Sequence, residues 1–205
     1  MTAHAPTLGR DGTRPVLLWR FDAPRIAVSS APVGGGIGWR AWVCNAQVGD
    51  DYARTDLAAH VAEIAAANGL CGDGVGMLTA ASVERACCAR DGDVTVYATV
   101  GLSHPTWAAD ADGGVSPWRP GTINVVAFVP VTLSEGALVN AVMTATEAKT
   151  QALVEAGVPG TGTASDAVCV VCEHSGATER FAGPRSPVGA RLARAVHAAV
   201  RRGIG

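Results

Sequence analysis

A single lysine stands against fifteen arginines in this chain of 205 residues. On a solvated face either cation serves, so the exception, Lys149, asks for a chemical reason. It lies in Thr146-Glu147-Ala148-Lys149-Thr150, within a run of helical periodicity from Glu135 to Ala156. At about 100° per residue, Leu138, Val142, Ala145, Ala152 and Leu153 share one side of that helix. Lys149 falls in the middle of their stripe. A cation there must pair, snorkel or lose its proton. Arginine can do only the first two. Two readings follow: a structural lysine bonded to carbonyls or a carboxylate, or a catalytic or substrate-orienting one.

Two further polar clusters interrupt apolar elements. Gly121-Thr122-Ile123-Asn124 opens a strand-like run. Strand alternation puts Thr122 and Asn124 on one face and Ile123 on the other. Gly160-Thr161-Gly162-Thr163-Ala164-Ser165-Asp166 is a glycine-rich hydroxyl loop that enters a strand. Its backbone N–H groups can cradle an oxyanion, and it gathers hydroxyls and a carboxylate. It is not a Walker loop, because no Gly-Lys-Ser/Thr follows and no helix begins there. Taken alone, the loop also reads as an ordinary turn, and Asn124 as a buried strand residue that satisfies a neighbouring backbone.

The elements that must position these clusters are legible from pattern. Residues 1–14 are polar and read as a flexible N-terminal segment. Pro15 to Phe21 and Arg25 to Ser29 read as strands around an Asp22-Ala23-Pro24 turn. A strand from Trp39 to Val48 follows Gly34-Gly35-Gly36. Thr55 to Asn68 is Ala-rich and helical, with a stop at Asn68-Gly69. Gly74–Thr79, Cys87–Ala89, Val94–Gly101, Thr122–Val131 and Asp166–Cys172 read as strands, with a short one at Arg180 to Ala182. A final helix spans Val188 to Arg202. His104 to Pro120 is a polar loop rich in Gly, Pro and Trp, a candidate lid. Strands in runs between about three main helices predict an α+β class: one layered domain over residues 15–205, with a mixed or antiparallel sheet.

Bulk properties narrow the function. Hydrophobic residues make up 48% and charged residues 17% of the chain, ample for a core. The formal charge of −2 argues against an electrostatic nucleic-acid binder. No signal-peptide core and no run of about 18 apolar residues is present, so no membrane span and a cytoplasmic location are expected. The six cysteines read as free thiols. Cys169 and Cys172 have redox spacing, but within a strand they should point to opposite faces. The histidines are scattered and show no metal-ligand spacing, so neither metal nor cofactor is expected.

Taken in order, the clusters resemble the adenosylcobinamide amidohydrolase family. The resemblance runs from Ser29-Ser30-Ala31-Pro32 and Cys44-Asn45-Ala46 through Val75–Ala80 and Gly101-Leu102-Ser103. Its most specific parts are Gly121–Asn124, Leu133-Ser134-Glu135-Gly136-Ala137, Thr146–Thr150 and Gly160–Thr163. Single matches are weak, and their order and separation make the set strong. The chain departs from the family pattern in the tail Phe181–Pro187, where Pro184-Arg185 replaces a common histidine. The resemblance implies hydrolysis of the aminopropanol amide of adenosylcobinamide, and possibly of related cobamides, to adenosylcobyric acid in corrinoid salvage. The residues leave the roles open. Thr163 or Ser165 can attack with a neutral Lys149 as base, or Asp166 or Glu147 can activate a water. Lys149, Thr163, Asp166 and Glu147 are thus the catalytic candidates. Asn45, Thr122, Asn124, Thr146, Thr161 and Ser165 are the substrate-binding ones. Trp39, Trp42, Trp107 and Trp118 are candidate walls for a broad corrinoid cleft, or simply core and lid packing. Two other classes stay in view. One is a corrinoid-binding protein without hydrolysis. The other is a self-processing N-terminal-nucleophile amidase, cleaved before Thr161 or Thr163.

Overall fold

The computed structural model describes residues 4–111, 121–173 and 177–205. Eight strands and three α-helices are arranged as β1 (Thr7–Asp11), β2 (Arg14–Ser29), β3 (Gly36–Gln47), α1 (Leu57–Ala67), β4 (Gly74–Thr79), β5 (Cys87–Asp91), β6 (Val94–Gly101), β7 (Thr122–Val129), α2 (Glu135–Glu155), β8 (Ala167–Cys172) and α3 (Pro187–Ile204). One mixed sheet runs β4-β3-β2-β8-β7-β6-β5, with β1 added against β2. The pairs β3/β4 and β7/β8 are parallel and the others antiparallel. The α+β class with three helices is as the pattern predicts.

The long strand β2 explains how one sheet makes two layers. It pairs with β3 in both halves, while on its other edge the first residues pair with β1 and the last with β8. Between Arg20 and Arg25 the register with β3 shifts. Pro24 has no N–H to give a ladder, so Asp22-Ala23-Pro24 makes a bulge instead of the expected turn. The sheet then folds across itself. Leu17, Trp19, Val43 and Met77 from one half meet Tyr97, Phe128, Cys169 and Val171 from the other. Trp19 lies 5.5 Å from the Tyr97 ring in an edge-on contact. Outside this inter-sheet core, α1 covers β2 and β3 with Val61, Ile64 and Ala65. On the opposite face α2 and α3 cover β5 to β8. The layers are therefore helix, sheet, sheet, helices.

Two local expectations differ from the structure, and a third lies partly outside the described residues. Thr7–Asp11, within the segment read as flexible, forms β1, and Asn68 at the end of α1 ties it down by exchanging hydrogen bonds with the Arg10 backbone at 3.0 and 2.9 Å. Arg180–Ala182 forms no strand; the nearest pairing is a lone bridge between Leu133 and Glu179. Residues 112–120 of the candidate lid, with Trp118, lie outside the described residues. Cys169 and Cys172 do face opposite layers, the first the inter-sheet core and the second the helices. Among the described residues no helix is long and apolar enough to cross a membrane.

Local chemistry sets the helix that matters most. Ser134 caps α2 by accepting from the Ala137 N–H at 3.3 Å. The helix ends at Gly157, whose positive φ of 71° permits bonds from Gly157 N to Val154 O and from Val158 N to Leu153 O. That turn delivers the chain directly into the Gly160–Asp166 loop.

Candidate active site

Parallel pairing of β7 with β8 sets Asn124 opposite Ala167. The residue before each strand partner, Ile123 and Asp166, therefore meets at the sheet end. Ile123 N–H donates to Asp166 Oδ1 at 2.9 Å. Thr163 N–H donates to Asp166 Oδ2 at 3.1 Å. The Thr163 hydroxyl lies 2.5 Å from Asp166 Oδ1 and 2.6 Å from the Gly121 carbonyl. From α2, the Lys149 ammonium closes the set with a contact to Asp166 Oδ2. Lys149 is 6% exposed, and its apolar stripe is the buried face of α2. The cation in the stripe is thus paired with a carboxylate. Among the described residues it makes no hydrogen bond to a hydroxyl, the contact that the neutral-base reading of Lys149 requires.

The hydroxyl protons can be assigned by counting. Thr163 has one proton and two acceptors in reach. Ser165 Oγ also lies 3.1 Å from the Gly121 carbonyl and 2.8 Å from Thr122 Oγ1. A consistent chain has Thr122 donating to Ser165 and Ser165 donating to Gly121 O. Thr163 is then free to donate to Asp166. In that arrangement the carboxylate accepts three hydrogen bonds from neutral donors, and the Lys149 cation sits on one oxygen. This is the compensation that a partly buried carboxylate requires.

Packing around the pair is tight. A Cβ on Gly162 would collide with both Asp166 Oδ2 and Lys149 Nζ, so any other residue must displace the pair. Thr106, from the segment read as a lid, pairs with the loop as a short antiparallel bridge: Thr106 N–H to Gly162 O and Thr161 N–H to Thr106 O, each 2.8 Å. Thr150 donates to the Thr161 carbonyl at 3.0 Å, and Thr161 Oγ1 accepts from Ala108 N–H at 2.9 Å. A cleft of about 480 Å³ opens over this cluster, lined among others by Ser30, Thr146, Lys149, Thr163 and Asp166. Ser30 and Thr106 were not singled out from sequence as site residues. Ser30 arrives because its hydroxyl accepts from Val168 N–H at 3.0 Å, and no spacing rule links positions so far apart.

Of the candidates not yet placed, Thr146 borders the cleft and the rest fall outside it. Asn45 and Asn124 are each 2% exposed and face the inter-sheet layer. Asn124 donates to Asn45 Oδ1 at 2.9 Å and to Leu78 O at 3.0 Å, and Asn45 donates to Thr99 Oγ1 at 3.0 Å. Asn124 Oδ1 has no partner among the described residues. Exchanging its O and N would set an oxygen against two acceptors, so the orientation stands. Thr122 belongs to this same buried face. Thr146 and Glu147 are exposed on α2; the Thr146 hydroxyl donates back to Val142 O at 2.8 Å. Trp42 is buried and donates to Gly72 O at 3.0 Å, while Trp39 and Trp107 are about half exposed. None of these three tryptophans lines the cleft at Lys149.

Breaking a linear amide calls for a nucleophile beside a proton acceptor, within reach of a substrate arm. The Thr163 hydroxyl and the Asp166 carboxylate lie side by side at the floor of an open cleft, a geometry compatible with such chemistry. The comparison with known proteins narrows the class. A family model described as adenosylcobinamide amidohydrolase matches residues 2–205, and the chain belongs to that family. It is 41% identical over 162 residues to an adenosylcobinamide amidohydrolase of Halobacterium salinarum, covering 75% of this chain and 69% of that protein. It is 30% identical over 186 residues to one of Methanosarcina mazei, covering 85% and 88%. Among solved structures, the PH0078 protein of Pyrococcus horikoshii has a similar fold, with a TM-score of 0.50 and 11% identity, over 98% of this chain and 82% of that one. At that identity the likeness concerns the fold alone.

Proposed function

We propose that the protein hydrolyses the aminopropanol amide of adenosylcobinamide, and of related cobamides, releasing adenosylcobyric acid for corrinoid salvage. Family membership supports the substrate class. The single structural observation that carries the reading is the Thr163 hydroxyl on a lysine-paired Asp166 at the cleft floor. The cleft lies within the ordinary size range for small-molecule sites. It is too small to enclose a corrin ring and is suited to the side arm that carries the amide.

In the proposed reaction the Thr163 oxygen attacks the amide carbon while Asp166 accepts its proton. A C–O bond forms and the carbonyl becomes an oxyanion. Collapse breaks the C–N bond, and Asp166 returns the proton to the departing aminopropanol nitrogen. The resulting ester on Thr163 is hydrolysed by water, which yields the carboxylic acid and restores the hydroxyl. Lys149 holds Asp166 in place and offsets its charge during each transfer. Ser165 and Thr122 fix the Gly121 carbonyl, so Thr163 is left to face the carboxylate. Asn45 and Asn124 act through β7, keeping Gly121–Ile123 in register with the loop. Thr146 and Thr161 border the channel for the arm.

The test is incubation with adenosylcobinamide and mass spectrometry for adenosylcobyric acid and free aminopropanol. Both products are expected in equal amounts, and Thr163→Ala should abolish them. Corrinoid binding without either product would overturn the hydrolytic reading. Products made undiminished by Thr163→Ala would transfer the attack to water activated by Asp166.

A further inference from the structure

The scissile amide is only the tip of a much larger molecule, and the cleft leaves the rest of it outside. On α2, Thr146 and Thr150 line the cleft, yet the same two residues also begin a second, shallower groove of about 530 Å³ along the outer face of the helix. That groove continues over Glu147, Gln151, Val154 and Glu155. These positions recur at i, i+1, i+4, i+5, i+8 and i+9, so they form one continuous strip. At 1.5 Å per residue the strip is roughly 13 Å long. Val154 is 55% exposed within it, an apolar side chain with nothing over it among the described residues. Glu147 and Glu155 place two carboxylates along the strip. His197 and Arg201 of α3 approach Glu155, whereas no cation pairs with Glu147 among the described residues.

We infer that this outer face of α2 is the platform on which the corrin macrocycle rests, with the aminopropanol arm passing between Thr146 and Thr150 to Thr163 and Asp166. The inference rests on the corrinoid reading above and names how that substrate is held. Three properties of the strip fit a corrinoid. The macrocycle is broad and apolar, which suits Val154 and the Thr146 and Thr150 methyls. Its rim is fringed with carboxamides, whose N–H groups suit the Glu147 and Glu155 oxygens and whose carbonyls suit the Gln151 amide. An adenosylated cobalt(III) corrin also carries net positive charge, complementary to two carboxylates. Gln151 already donates to Glu155 Oε1 at 2.7 Å, and His197 holds Glu155 Oε2 at 2.8 Å. The Glu155 carboxylate is therefore fixed in direction before any ligand arrives. The adjoining hydrogen bonds lower its proton affinity below the usual glutamate range, the Gln151 contact most of all, which favours the charged form. Glu147, a catalytic candidate from sequence, becomes a binding residue in this account.

The test separates platform from chemistry by using the reaction product, which retains the ring and lacks the arm. Adenosylcobyric acid is titrated against wild-type protein, Val154→Arg and Glu147→Lys, with binding read from the corrin absorbance. Both substitutions lie on an exposed helix face and suit a helix, and unchanged circular dichroism and Tm confirm the fold. We expect each to weaken binding at least tenfold. With adenosylcobinamide, each should raise KM at least tenfold and change kcat less than threefold. Unchanged product affinity in both variants would overturn the platform even if the wild type hydrolyses adenosylcobinamide. Weakened product binding in both variants, beside a wild type that binds adenosylcobinamide but never hydrolyses it, would support the platform and sink the hydrolytic reading instead. A competing occupant of the strip is a second copy of the chain. A wild-type dimer that Val154→Arg makes monomeric, with corrinoid affinity intact, would assign the face to self-association and overturn the proposal.

Discussion

Strand β7 separates two buried polar clusters that solve the same problem in opposite ways. On its helix side, Lys149 and Asp166 bring full charges under cover, and three hydrogen bonds together with the Lys149 cation satisfy the carboxylate. On its inter-sheet side, Asn45, Asn124 and Thr99 form a neutral chain with one acceptor left over. The charged cluster borders a cleft, whereas the neutral one is sealed. Charges are costly to bury and useful to a reaction, so they stand where substrate can reach them. Neutral amides fix the register of two sheets without demanding a counter-ion. The difference separates residues that meet substrate from residues that hold them still.

The largest effect should come from breaking the ion pair. Lys149→Met leaves Asp166 without its cation and should destabilise the fold by about 3–5 kcal/mol, read by urea denaturation. Turnover should fall to near zero. Lys149→Met combined with Asp166→Leu should recover much of the lost stability and none of the activity, because both charges are then gone. Asp166→Asn alone keeps the shape and removes the proton acceptor, so kcat should drop by about a hundredfold or more. Lys149→Arg preserves the charge, but the planar guanidinium has no room beside Gly162, and turnover should again collapse. Retention of most activity by Lys149→Arg would show that any fixed cation suffices.

Gly162→Ala probes the same side more gently. The added methyl would press on both Lys149 Nζ and Asp166 Oδ2. Overpacking of this kind costs about 1–3 kcal/mol. Because the strain falls on the pair itself, kcat should decline more than Tm suggests. Equal stability and full turnover would mean that the loop can move away without consequence, and that the pair is not held as tightly as its geometry indicates.

On the sealed side, Asn124→Leu removes the donor to Asn45 Oδ1 and to Leu78 O. Stranding those acceptors should cost about 1–3 kcal/mol, measured by thermal unfolding. The decline in kcat should be smaller than for Asp166→Asn, since Asn124 acts through the position of β7. A drop as deep as that of Asp166→Asn would erase the distinction between the two clusters.

What sequence disclosed follows the same division. The stripe of α2 announced Lys149 because a cation among Leu138, Ala145 and Leu153 conflicts with its surroundings. Alternation along Thr122–Val129 placed Thr122 and Asn124 on one face and Ile123 on the other, as found. The loop announced Thr163 and Asp166 by composition alone. Which partner Lys149 would choose was not legible, because it depends on the parallel register of β7 and β8, a contact between segments separated by a whole helix. For the same reason Ser30 and Thr106 gave no local signal. In sequence the bulge in β2 reads as a turn, because a proline between two apolar runs usually marks one, and only the pairing with β3 shows that the strand continues.

The smallest effect is also the most discriminating, since β8 carries a thiol into each layer. Cys169 faces the inter-sheet core and Cys172 the helix side. Burial pushes Cys169 up to about 12 and Cys172 up to about 11. At pH 8 neither supplies appreciable thiolate in the folded protein, while Cys71 and Cys88 are exposed to reagent. Iodoacetamide should therefore label Cys71 and Cys88 quickly, and Cys169 and Cys172 only when their layer opens. The unfolded chain restores an ordinary thiol, so labelling of the buried pair follows local opening. If the two clusters secure separate layers, Lys149→Met should speed labelling of Cys172 more than Cys169, and Asn124→Leu should do the reverse. Peptide mass spectrometry over a time course reads both rates in one sample. Equal acceleration of both thiols in both variants would show that the layers open together, and that the two sides of β7 form a single cooperative unit.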